Sequence, residues 1–99
     1  KFKIVKLSGQ SFVKQIYIFW NADCIIGAHG AAFTNLVFCK PKTKVIELKP
    51  FRHPGKNYQR ISKINNLHYH SIESQKKYIK NKNGDIFVDL KKLDKKINL

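Results

Sequence analysis

The chain has no methionine, one tryptophan, three prolines and two cysteines among its 99 residues, and only six acidic side chains stand against twenty Lys and Arg. No run approaches the ~20 consecutive apolar residues that a membrane-spanning helix needs, and no charged-then-apolar pattern of a signal peptide opens the sequence. Cys24 and Cys39 are not spaced as C-x-x-C, which removes the redox and zinc signatures built on that pair. Each lies in apolar sequence and reads as a small core residue, with a disulfide between them left open. There is no N-x-S/T sequon, which suits a chain kept out of a secretory lumen. Beginning at Lys1 rather than at methionine, the chain is expected to be a piece of a longer protein. Its length suits one domain with one core, burying roughly 65% of the surface its unfolded chain would expose.

What is abundant is lysine, which carries most of a net charge of +14. A basic surface of that size attracts phosphate backbones through counterion release. The kind of base argues the other way, because Arg52 and Arg60 are the only arginines and the planar guanidinium fork is what reads phosphates and base edges. Nucleic acid is therefore disfavoured as a partner, and the lysines read as a solvated surface that also suits peripheral contact with anionic lipid.

The informative stretch is IIGAHGAAFTNLVFCKPKTKVIELKP, residues 25–50. Cys24 to Gly27 is a short apolar run of the kind buried on both faces of a parallel sheet. Gly27, Ala28, Gly30, Ala31 and Ala32 then make a turn with almost no side chain, so that backbone N–H groups can approach an anion before Phe33 to Phe38 continue as helix. His29 is the one large polar group in that turn, suited to a hydrogen bond to phosphate or to proton transfer. Its alternative is to satisfy a turn carbonyl. Lys44 to Leu48 is the next strand, and Glu47 near its carboxyl end suits either ribose hydroxyls or a surface ion pair with Lys40, Lys42 or Lys44.

Around this centre the chain alternates strand and helix. Phe2 to Leu7 alternate apolar residues with lysine, the pattern of a strand with one wet face. Ser11 caps a helix whose apolar stripe is Phe12, Ile16, Phe19 and Trp20. Pro50 to Asn57 is an irregular loop at the carboxyl end of the sheet, and His53 reaches the ligand side by position alone. Tyr58, Ile61 and Ile64 mark a helix that ends near Asn65 and Asn66, and Leu67 to Ile72 is a fourth strand. His68 and His70 share one side of it, but two ligands are not a metal site. Lys76 to Gly84 is a mobile loop, and Asp89 caps a last helix carrying Leu90, Leu93 and Ile97. Alternation of this kind predicts an α/β fold with a parallel sheet flanked by helices.

Gly27, His29, Gly30, Ala31, Thr34, Asn35 and Phe38, followed by Pro41, Val45, Ile46, Glu47 and Pro50, resemble the signature of glycosyltransferase family 61, G-x-H-G-A-x-x-T-N-x-x-F and then V-I-E-x-x-P. The likeness extends with less specificity to Ser11, Phe12, Gln15, Ile16, Phe19 and Ala22, to Tyr58, Ile61, Leu67 and Tyr69, and to Val88, Asp89, Leu90 and Leu93. Two departures stand out: Ala28 where proline is common and Lys42 where many relatives have glycine.

The resemblance implies a Rossmann-like fragment, residues 1–99, corresponding to the C-terminal, donor-binding half of a GT-B glycosyltransferase whose N-terminal domain is missing. The implied reaction transfers a sugar, with inversion and without a metal or other cofactor, from a uridine diphosphate sugar to a hydroxyl of a glycan or protein, as in polysaccharide biosynthesis. His29 would assist the leaving phosphate, Gly27, Gly30, Ala31 and Ala32 would face the diphosphate, Thr34 and Asn35 would brace the turn or touch the donor, and Glu47 would hold the ribose. A bacterial-type parent would be cytoplasmic or peripheral to the membrane, and a eukaryotic one would lie in the Golgi or ER lumen. The alternative is a non-catalytic, basic nucleotide- or nucleic-acid-binding module, and a third reading is an inactive piece that merely folds.

Overall fold

In a computed structural model, described over residues 3–74 and 89–98, three parallel strands carry helices on both faces. The elements run α1 (Phe12–Asn21), β1 (Cys24–Ala28), a 3₁₀ helix (Ala31–Phe38), β2 (Lys44–Lys49), α2 (Asn57–Ile64), β3 (His68–Glu73) and α3 (Leu90–Ile97). The sheet order is β1-β2-β3, with Gly27 opposite Glu47 and Glu47 opposite Ser71. The expected α/β class and all three of these strands are present. Among the described residues no helix is long and apolar enough to cross a membrane.

Side chains alternate across each strand, so Ile25, Val45 and Tyr69 share one face with Gly27 and Glu47, whereas Ile46 and Ile72 point to the other. The first face holds the core. Phe19 of α1 and Phe33 and Leu36 of the 3₁₀ helix close over Val45, with Ile25 and Tyr69 packed at the margin. The second face keeps Ile46 and Ile72 buried. Lys44 Nζ donates to the Ile97 carbonyl at 2.5 Å, which ties the end of α3 to the start of β2.

Local chemistry explains the helix ends. The Ser11 hydroxyl accepts from Lys14 N at 3.1 Å, and one Asp89 carboxylate oxygen accepts from Lys91 N and Lys92 N. Asn66, at φ 58, leaves α2 through the left-handed conformation that asparagine tolerates. Lys42 also has a positive φ of 70, which is why a glycine is at home at that place in the family pattern.

The structure corrects several expectations. Lys3 to Leu7 form no strand: no strand among the described residues pairs with them, and Ile4 is 97% exposed. The helix after the turn is 3₁₀ and begins at Ala31, two residues earlier than expected. At three residues per turn, Phe33, Leu36 and Cys39 fall on one line, and all three are buried. In α1 only Phe19 of the expected stripe is buried, while Phe12 and Trp20 are mostly exposed. β1 is only half-buried, lying at one edge of the three described strands rather than between two others. The loop expected at residues 76–84 lies outside the described residues.

Candidate functional site

β1 ends at Ala28, and the next residue still belongs to the ladder, because His29 N donates to the Leu48 carbonyl at 2.8 Å. This bond sets the imidazole at the carboxyl edge of the sheet, directly before the small-residue turn. Gly27 is required from below: a Cβ there would stand 2.9 Å from Phe33 Cε1 in the core. Gly30 is different. Its φ of 171 is ordinary extended backbone, and an added Cβ would meet nothing nearer than the Ala28 carbonyl at 3.8 Å. Neither backbone strain nor protein packing asks for glycine at position 30. Ala31 and Ala32 are exposed.

Glu47 is 1% exposed, yet it has partners on both oxygens. Oε2 pairs with His29 Nδ1, and Oε1 accepts from the Tyr69 hydroxyl at 2.5 Å. A carboxylate buried this deeply is tolerated only when it is paired and hydrogen-bonded, and both conditions hold. The Tyr69 phenol is pushed well above its ordinary range, first by burial and then by the hydrogen bond and the charge of Glu47, so it remains a donor. With an acceptor-only carboxylate opposite Nδ1, His29 carries its proton there. Nε2 then has no hydrogen-bond partner among the described residues. It is an acceptor when the ring is neutral and a donor when it is charged.

The loop after β2 closes over the same place. The His53 ring lies 4.0 Å from that of His29, centroid to centroid, and the Tyr58 ring lies 5.1 Å away. Tyr58 also meets Phe33 edge-on, linking the site to the core. Gly55 N donates to His53 Nδ1 at 3.0 Å, and Lys49 Nζ holds the Gly55 carbonyl at 2.8 Å.

The other sequence candidates fall into place around this cluster. Thr34 Oγ1 donates to the Ala31 carbonyl at 2.7 Å, which braces the turn. Asn35 Nδ2 donates to Gln15 Oε1 at 2.9 Å, joining the 3₁₀ helix to α1. The ion pair of Glu47 is with His29 and not with a lysine of the loop before β2. His53, Tyr58 and Tyr69 complete the constellation, although no spacing in the sequence joined them to His29.

Among the described residues no group of three or more His, Cys, Asp or Glu side chains is placed to hold a metal ion. His68 is exposed, and His70, on the same side of β3, has its pKa lowered by burial and then by Lys96, Lys44 and His68. Both cysteines are free thiols, with Cys39 pushed up to about 11 by burial, so neither is a ready nucleophile.

Comparison with known proteins gives an independent reading. The family model described as Glycosyltransferase 61 matches residues 1–46, from the start of the chain through the turn to the middle of β2. The chain is 37% identical over 59 residues to the beta-1,2-xylosyltransferase RCN11 of Oryza sativa subsp. japonica, covering 60% of this chain and 11% of that protein. It is 32% identical over 66 residues to a beta-1,2-xylosyltransferase of Arabidopsis thaliana, covering 67% of this chain and 12% of that protein. It thus spans only about a ninth of the length of the curated relatives it matches. No solved structure gives a significant match. The turn motif, the family match over residues 1–46 and the two relatives agree with one another, and together they support a glycosyltransferase of family 61.

Proposed function

We propose that this chain supplies the donor-diphosphate site of a glycosyltransferase, the Rossmann-like C-terminal part of a GT-B enzyme. The parent transfers a sugar from a nucleotide diphosphate sugar, a uridine nucleotide in the first instance, to a hydroxyl of a glycan or protein. The names of the two relatives make xylose the first sugar to test. Their plant origin favours the Golgi or ER lumen for the parent.

One observation carries the reading: His29, anchored through Nδ1 by a buried carboxylate, stands at the mouth of a turn of glycine and alanine with no partner for Nε2 among the described residues. In the proposed reaction the acceptor oxygen attacks the anomeric carbon, and the bond from that carbon to the diphosphate breaks. The electron pair leaves with the β-phosphate oxygen. The charged ring of His29 donates from Nε2 to that phosphate, while the backbone N–H groups of Gly30, Ala31 and Ala32 meet the other oxygens. The proton of the acceptor passes to a base outside this chain. Glu47, buried with one oxygen on His29 and the other on Tyr69, orients His29, and Thr34 and Asn35 hold the turn. No metal is required, since the imidazole and the amides supply the positive charge.

Calorimetric titration with uridine diphosphate, with and without magnesium, tests this. A charge-assisted hydrogen bond contributes about 1.5–3 kcal/mol, so His29→Ala should weaken binding by roughly 10- to 150-fold, independently of the metal. Equal binding by wild type and His29→Ala, or binding that appears only with magnesium, would refute the proposal.

A further inference from the structure

His53 is the second imidazole of the cluster, and its hydrogen bonding is the mirror of that of His29. His29 Nδ1 faces a carboxylate and carries the proton. His53 Nδ1 faces the Gly55 N–H at 3.0 Å and must be the lone-pair nitrogen. The proton of a neutral His53 is therefore on Nε2, which has no partner among the described residues. The loop is shaped to keep it so. A Cβ on Gly55 would stand 2.7 Å from His53 Cε1 and 3.1 Å from its Nδ1, so only glycine lets the ring sit against that amide. Lys49 Nζ pins the Gly55 carbonyl, and Arg52, in the same loop, sits at φ 58, a left-handed conformation unfavourable for a residue with a Cβ.

From this we infer that His53 is an anion-contact residue of the site, its Nε2–H bonding the same diphosphate as His29. The inference rests on the proposed donor site and adds to it a residue outside the signature motif. The ligand class follows from the tautomer. A divalent cation needs lone pairs, and His53 presents an N–H. With the ring centroids only 4.0 Å apart, one diphosphate lying at the edge of the pair can accept from Nε2–H of a neutral His53 and from Nε2–H of a charged His29.

The test is titration of the full chain with inorganic pyrophosphate and with uridine diphosphate, followed by calorimetry and by nitrogen NMR of the imidazoles. The free protein should show His53 protonated on Nε2. His53→Asn, which cannot place a donor where Nε2 lies, should weaken both ligands about tenfold or more, whereas His53→Gln, whose amide nitrogen can, should recover most of the loss. Gly55→Ala should weaken both ligands similarly by displacing the ring. Far-UV circular dichroism of each variant separates lost binding from lost fold. If His53→Asn binds like wild type while His29→Ala loses affinity, the inference falls and the donor site stands. If His53→Asn and His53→Gln lose affinity equally, the ring serves packing and the inference falls. If wild type binds neither ligand, the donor-site reading falls and takes the inference with it.

Discussion

Replacing Tyr69 by Phe removes a single oxygen and tests whether the buried Glu47 carboxylate depends on it. Glu47 is 1% exposed, and its Oε1 accepts from the Tyr69 hydroxyl at 2.5 Å. In Tyr69→Phe that oxygen keeps its charge and loses its donor, and it is too deep to regain one freely from solvent. A hydrogen bond to a charged group contributes about 1.5–3 kcal/mol. Tyr69 itself is only half-buried, so a water following the lost hydroxyl would limit the loss, and a value near 2 kcal/mol is expected. For a domain of this size that is roughly 8–16 °C in Tm. Urea unfolding followed by circular dichroism should show a lower midpoint at unchanged slope, since the exposed surface hardly changes. Because burial and then Glu47 raise the Tyr69 pKa, the bond is intact throughout neutral pH and is lost only as the pH climbs past about 10, the ordinary tyrosine value, towards the raised one. The loss should therefore be the same at pH 6.5 and 8.5. A double-mutant cycle with Glu47→Gln should give a coupling of about 1 kcal/mol, because a neutral amide oxygen depends less on the phenol. A loss below about 0.5 kcal/mol, or no coupling, would mean that the carboxylate is satisfied without Tyr69 and that the His29, Glu47 and Tyr69 chain is not a unit.

Two further predictions concern single positions. Gly27→Ala drives a methyl group into Phe33 and should destabilise the fold by about 1–3 kcal/mol, whereas Gly30→Ala should change stability by less than about 0.5 kcal/mol yet weaken uridine diphosphate binding; thermal melts and titrations of both variants check this, and equal melting losses would sink the distinction. His70 has a lowered pKa in the fold, so the unfolded chain binds the extra proton first, and the stability present above pH ~6.5 should fall as the pH drops below it. Tm measured from pH 8 to 5 should decline less steeply in His70→Asn than in wild type, and parallel curves would show that other groups carry the acid sensitivity.

Much of the architecture was legible because its cues are local. Ser11 and Asp89 announce helix starts through hydroxyl and carboxylate caps that bond amides within three residues, and Asn66 marks a helix end through its tolerance of positive φ. The apolar run before the turn and the VIEL run of β2 read as strands in their own right. Where the pattern misled, it was silent about neighbours. The alternation from Phe2 to Leu7 suits a strand, but its described part, Lys3 to Leu7, pairs with no strand among the described residues. Phe12 and Trp20 suit a buried stripe, but the core lies against Phe19.

At the site the division is sharper. His29, the glycines and alanines of the turn, and Glu47 were visible in the chain as a strand-to-helix junction followed by a strand ending in an acid. That Glu47 would bind His29 was not, because the two are eighteen positions apart and meet only through the register that sets Gly27 beside Glu47. Tyr69 reaches Glu47 from the third strand, and His53 and Tyr58 come back over His29 from the loop and helix after β2. The sequence by itself determined the three strands of the sheet, the capped helix starts and the turn chemistry, because hydrogen bonding and torsional preference act within a few residues. The tertiary structure alone decided which groups share a proton and which are buried, because those depend on strand order and register, through which distant residues become neighbours.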